Sequence, residues 1–119
     1  MKKQDQETAE AALRREIVET CRAMNALGIN QGTSGNVGAR HRDSLLITPS
    51  GLPYDEMGPE DIVAMPLGRD DGSDLGKLAP SSEWRFHHDI LRARPDIAAV
   101  VHTHSTYATA LAICGLEIP

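Results

Sequence analysis

Aromatic side chains are scarce in this chain, with one Trp, one Phe and two Tyr among 119 residues. That scarcity excludes the stacked-ring platforms that hold single-stranded nucleic acids. Basic residues are also the minority, 12 Lys and Arg against 17 Asp and Glu, and the net charge of −5 leaves no footprint for a phosphate backbone. Nucleic acid is therefore not an expected partner. No apolar run approaches the ~20 residues needed to span a bilayer. The opening Met1-Lys2-Lys3-Gln4-Asp5-Gln6-Glu7 is not followed by the apolar stretch of a signal peptide. No membrane partner and a cytoplasmic location are expected. The Lys-bearing phosphate loop and the GxGxxG pattern are both missing, which disfavours nucleotide binding. Cys21 and Cys114 lie far apart in helix-like stretches and read as two reduced, buried thiols.

What is present suffices for one core, with 40% apolar and 24% charged residues. Leu13, Ile17, Cys21, Met24 and Leu27 recur at steps of three or four, which predicts a helix burying one stripe, with Gly28 as its stop. The segment Asn30-Gln31-Gly32-Thr33-Ser34-Gly35-Asn36 is small and polar and is expected to be a loop that buries little. Short strands are expected at Val37–Arg40, Leu45–Thr48 and Ile62–Met65, the first two forming a hairpin. Gly68–Gly76, rich in Gly and Asp, reads as an exposed loop. Pro80-Ser81-Ser82-Glu83 has the composition of a helix start, a Ser cap with an acid in the first turn. Trp84, His87 or His88, and Leu91 are the inward positions of that helix, with His88 the more solvated histidine. Ile97–Val101 reads as a buried strand, followed by a helix from Ser105 to Cys114 that Gly115 stops. This irregular alternation predicts an α/β domain, layered and of mixed-sheet type. The closing Gly115-Leu116-Glu117-Ile118-Pro119 reads as a helix stop followed by the opening of another element, so a truncated fold is expected.

Chemistry concentrates in a few segments. His102 and His104 flank Thr103 at the end of a strand, where side chains two apart share a face with Cα atoms about 7 Å apart. Two imidazoles so placed can converge on one divalent cation, and imidazole nitrogen suits zinc and its neighbours. Glu83 admits two readings from composition alone: a carboxylate facing the helix dipole, or a general base beside a metal. Ser81 and Ser82 at the same helix start, the segment Gly32–Asn36, and Ser50-Gly51 are three places where an anion such as phosphate could be held. Each of these, taken singly, is also an ordinary turn or cap.

Four segments in order, Asn30–Asn36, Ile47–Gly51, Pro80–His87 and Val101–His104, resemble the class II aldolase and adducin family, most closely its branch of L-fuculose-phosphate aldolases. The resemblance runs from the first helix to Pro119 and covers about the N-terminal half of a typical family domain. It implies an α/β fold with helices on both faces of the sheet, of which residues 1–119 form the N-terminal part. It implies that His102 and His104 are two of three histidine ligands to one catalytic zinc per subunit. Glu83 would be the acid/base and an occasional ligand, and Asn36, Ser50, Gly51, Ser81 and Ser82 would hold the substrate's phosphate. The implied activity is cleavage or formation of a ketose 1-phosphate from dihydroxyacetone phosphate and an aldehyde. Glu83 points away from the family's epimerases, which carry Asp there. Decarboxylases of keto-acid phosphates, aldolases or dehydratases of methylthio-sugar phosphates, a non-catalytic adducin-like module and an inactive fragment are the alternatives. The family's third histidine and a proton-transferring tyrosine belong to a segment this chain lacks, and the implied assembly is a homotetramer.

Overall fold

The computed structural model describes residues 7–69, 71–72 and 78–118. Helix α1 (Ala9–Ala26) opens on Thr8, whose hydroxyl accepts from the Ala11 N–H at 3.0 Å. It closes on a paired set of capping bonds, Gly28 N–H to Asn25 O and Ile29 N–H to Met24 O, with Gly28 in the left-handed region that a side chain resists (φ 76°). Ile17, Val18, Cys21 and Met24 form its buried stripe. Leu27, expected in that stripe, lies beyond the last turn and is exposed.

Strands β1 (Asn36–His41), β2 (Ser44–Ile47) and β3 (Val63–Pro66) form a meander, and β4 (Ala99–His102) returns to the free side of β1. The order is β3-β2-β1-β4, and all described pairings are antiparallel. Arg42, with φ 53°, makes the tight turn between β1 and β2. Helix α2 (Trp84–Ala93) links β3 to β4, and α3 (Thr106–Ile113) follows the sheet, starting on the Ser105 cap. The layered α/β architecture is as expected, with helices on both faces.

Alternation along the strands explains the two faces. Val37, Ala39, Leu46 and Ile62 pack with Ile17, Val18, Cys21 and Met24 of α1. Leu45, Ile47, Val63 and Met65 point the other way and pack with Trp84 and Leu91 of α2. Central β2 is sealed on both faces, so Leu45, Leu46 and Ile47 are all fully buried. Each such side chain contributes about 1.5–3 kcal/mol by leaving water.

Three expectations need correction. The strand at 97–101 is shorter and half-exposed: β4 is an edge strand, with Val101 52% exposed because nothing described covers its outer face. His88 is buried, because α2 lies flat on the sheet and its Nε2 meets the Pro66 carbonyl at 3.1 Å. Both cysteines are free, but only Cys21 is buried; Cys114 is exposed at the end of α3, which buries no residue. Much of the expected Gly68–Gly76 loop lies outside the described residues.

Arginines tie the irregular segments to this frame. Arg14 donates to the carbonyls of Pro59 and Ile62, and Arg22 to those of Tyr54 and Met57, which holds two short 3-10 turns against α1. At the other end of the sheet, Arg40 of β1 donates to Leu91, Arg94 and Ile97 carbonyls and closes the C-terminus of α2. Arg40→Met keeps the aliphatic stem but removes the guanidinium donor to those carbonyls. It is expected to cost about 1–3 kcal/mol, read as a lower urea midpoint with unchanged slope.

Candidate metal centre

The antiparallel topology gathers the start of β1, the end of β2 and the end of β4 at one end of the sheet. The start of α2 lies there too, and this is where the singled-out residues meet. Asn36 is the cross-strand partner of His102, so both side chains leave the sheet on one face, the face covered by α2. Beyond Ile47, the chain pairs with the approach to α2: Ser50 N–H donates to Ala79 O and Ser81 N–H to Thr48 O, each at 2.9 Å. The Ser50-Gly51 turn and the Ser81-Ser82-Glu83 segment thus form one rim at the end of the sheet where β1 starts with Asn36. The backbone N–H groups of Ser50 and Ser81 are spent on this pairing, so their hydroxyls are what they can offer a ligand. Ser81 Oγ already accepts the Glu83 N–H at 3.3 Å.

Glu83, His102 and His104 each present one donor atom, and the three atoms lie within 4.8 Å of one another. The His102 and His104 rings stand 4.8 Å apart between centroids. Glu83 occupies the N-cap position of α2, one residue earlier than a first-turn acid, yet its side chain makes no capping hydrogen bond. Its Oε2 instead lies 2.8 Å from Nδ1 of His102. The His102 ring nitrogen does not aim a hydrogen bond at that oxygen, and this buried Nδ1 has no hydrogen-bond partner. Two donor atoms crowded together without a hydrogen bond are the arrangement that a shared cation relieves. One carboxylate and two imidazoles fit a small divalent metal, and His104 leaves the centre open to solvent on one side.

The centre is held from behind by residues of the segment that was expected to be a loop burying little. Asn30 is buried, and its Oδ1 accepts the His104 backbone N–H at 2.8 Å while its Nδ2 donates to Asn25 Oδ1. Gly35 packs against the same point, where an added Cβ would lie 2.5 Å from the His102 carbonyl and 2.7 Å from Asn30 Oδ1. Tyr54 donates its hydroxyl to the Gly35 carbonyl at 2.6 Å. Burial, with Cys21 adding, pushes the phenol up to about 12, so it stays a donor over the physiological range. Gly32 and Thr33 line a surface cleft of about 570 Å³ beside Arg22 and Tyr54.

His87 is fully buried, with Nε2 2.5 Å from Asn36 Oδ1. Burial, and then its neighbour His102, pull its pKa down to about 4, so the ring is neutral at physiological pH. Phe86 stacks on His87 at 4.5 Å and meets His102 edge-on at 5.2 Å. Only the polarity of Asn30 and the inward phase of His87 were visible in the sequence, and neither signals a contact more than fifty residues away.

Fold and site together define an α/β protein with a metal-type donor set beside a hydroxyl- and amide-lined rim. The chain belongs to the class II aldolase and adducin family: the sequence profile of the Class II Aldolase and Adducin N-terminal domain matches residues 15–119. It is 50% identical over 108 residues to a 5-methylthioribulose-1-phosphate/5-deoxyribulose-1-phosphate aldolase of Rhodospirillum rubrum, covering 91% of this chain and 48% of that protein. It is 47% identical over 110 residues to the L-fuculose phosphate aldolase of Escherichia coli, covering 90% and 48%. A solved L-fuculose 1-phosphate aldolase superposes with a TM-score of 0.80 at 31% identity, over 95% of this chain and 52% of that one. The chain therefore spans about half the length of these relatives. No described helix is long and apolar enough to cross a membrane.

Asn30→Ala removes the acceptor of the His104 N–H without touching a donor atom. Affinity for a divalent cation is expected to fall about 10- to 100-fold, measured by competition with a chromogenic chelator.

Proposed function

We propose that the complete protein is a zinc-dependent aldolase that joins dihydroxyacetone phosphate to an aldehyde and cleaves the resulting ketose 1-phosphate. The observation that carries this reading is the placement of Glu83. A carboxylate at a helix start is expected to turn onto the free N–H groups of the first turn, but this one turns onto His102. It is thereby held beside the metal-type donor set, where a base acting on carbon is needed. The similarity to sugar-phosphate aldolases over nine-tenths of the chain supports the reaction class.

In this reading His102 and His104 hold the zinc, Glu83 completes the set while substrate is absent, and a third histidine comes from the half of the domain beyond this chain. When bound, zinc supplies positive charge that offsets the negative charge developing on the substrate's oxygens. Asn36, Ser50, Gly51, Ser81 and Ser82 fix the phosphate and so place the adjacent carbons against Glu83. Glu83 takes a proton from the carbinol carbon beside the ketone, and the C–H electron pair becomes that of the enediolate. That pair then forms the carbon–carbon bond to the aldehyde carbon, whose oxygen takes up a proton. Cleavage runs the same steps backward, with Glu83 returning the proton to carbon. The working form is a homotetramer in the cytoplasm.

One observation favours a second substrate within the same class. Identity to the methylthioribulose-phosphate enzyme equals that to the fuculose-phosphate enzyme within a few per cent. This half of the domain is common to both, and the aldehyde is selected elsewhere.

The complete protein is expected to carry one zinc per subunit, and the double substitution His102→Ala, His104→Ala to carry almost none. Equal metal content in the two by elemental analysis would sink the assignment. Glu83→Gln is expected to bind dihydroxyacetone phosphate but to lose solvent deuterium incorporation into it by at least about 100-fold. Undiminished incorporation would remove Glu83 as the base.

A further inference from the structure

We propose that His87 is a positioning residue, which locks the Asn36 side-chain amide with its NH2 group turned to the substrate's phosphate. The inference rests on the reading of Asn36 as a phosphate contact and adds what sets the polarity of that contact.

Asn36 Oδ1 can only accept a hydrogen bond, so the Nε2 that lies 2.5 Å from it must carry the proton. The other ring nitrogen, Nδ1, is then a bare lone pair, and it is buried without a hydrogen-bond partner. Its surroundings explain how the ring tolerates this. Nδ1 lies over Gly38 of β1, where a Cβ would come within 2.7 Å of it and within 2.9 Å of Leu45 Cδ1. The missing side chain at Gly38 is thus a slot for the imidazole in the sheet. Phe86 closes the slot by stacking on the ring at an interplanar angle of 26°. Inside this slot the ring has one orientation and one tautomer.

The consequence falls on Asn36. A carboxamide presents an acceptor and a two-proton donor at adjacent corners, and an unrestrained amide can turn either one to a ligand. An acceptor facing phosphate oxygens is repulsive, whereas a donor facing them is favourable. With Oδ1 held by His87, Nδ2 is the other corner of the amide and faces away from the imidazole. Asn36 also sits opposite His102 in the β1–β4 register. The freed donor is therefore on the same face of the sheet as the metal-type donor set. The device supplies a fixed donor without adding a charge next to that set, which a Lys or Arg at position 36 would do.

The test uses the complete protein with zinc bound. Dissociation constants for inorganic phosphate and dihydroxyacetone phosphate are measured by calorimetry for His87→Leu, His87→Gln, Asn36→Ala and the double variant Asn36→Ala, His87→Leu. His87→Leu is expected to weaken both ligands by about tenfold, the loss of one oriented hydrogen bond to an anion. His87→Gln, which keeps an N–H at similar reach, is expected to recover most of that loss. In the Asn36→Ala background, His87→Leu is expected to add nothing further. Long-range proton–nitrogen NMR spectra of the unsubstituted protein are expected to show His87 protonated on Nε2. A proton on Nδ1 overturns the proposal, whatever the variants do. So does an undiminished effect of His87→Leu in the Asn36→Ala background, which would mark a packing defect. Weaker binding in Asn36→Ala with none in His87→Leu leaves the phosphate reading intact and removes His87 from it. Unchanged binding in Asn36→Ala instead sinks the phosphate reading on which the proposal stands.

Discussion

The pairing of β4 with β1, in the register that sets Asn36 opposite His102, is the constraint on which the rest of the site depends. Antiparallel pairing brings the end of one strand to the start of the other, so a histidine late in the chain lands beside a loop sixty-odd residues earlier. A slip of one residue would turn His102 to the α1 face and part it from Glu83. Three contacts oppose such a slip. Arg40 N–H donates to the Ala98 carbonyl, the Gly35 backbone fits closely under the His102 carbonyl, and Asn30 grips the His104 N–H. None of these three touches a ligand atom, yet together they fix where the two imidazoles stand.

A chain with so few aromatic residues needs another means to hold irregular backbone near a site. Here it uses polar clamps of high sequence separation: Arg14 and Arg22 on the turns around Tyr54 and Pro59, Asn30 on His104, and Tyr54 on Gly35. Each adds a hydrogen bond to a carbonyl or N–H group of the segment it holds, at about 0.5–1.5 kcal/mol apiece. The apolar layers on either side of β2 supply the bulk of the stabilisation. The polar clamps decide which conformation the loops adopt.

This division explains what could be read from the sequence. The stripe of α1, the apolar run Leu45–Ile47 of β2 and the His-x-His spacing are local patterns, and all three were legible. Asn30, Gly35 and Asn36 belong to a segment expected to be a loop that buries little, because polarity signals solvent unless the long-range partner is known. Their partners are His104, His102 and His87, more than fifty positions downstream. His88 was misjudged for a related reason: its Nε2 is satisfied by the Pro66 carbonyl, which only the packing of α2 on the sheet brings near. Glu83 was ambiguous between cap and base, and composition could not decide it, since the choice lies in the side-chain torsion. The edge exposure of β4 was illegible, because an apolar run looks the same whether or not a neighbour covers it.

The uncovered apolar surface and the metal-type donor set are coupled through His104. Helix α3 begins two residues after it, on the Ser105 cap, and is apolar on every face, with Tyr107 85% and Ile113 81% exposed. An eight-residue helix of this kind draws little stability from its own hydrogen bonds and depends on packing against other elements. Val101 of β4 is likewise exposed, at 52%. Another element packed on α3 would cover this apolar surface. Covering it does more than remove apolar area from water. It fixes the start of α3, and so restrains His104, the most exposed and least constrained of the three donors. Asn30 anchors the His104 backbone from the α1 side, and a packed α3 would anchor it from the other. On physical grounds, then, any element that packs on α3 also restrains His104.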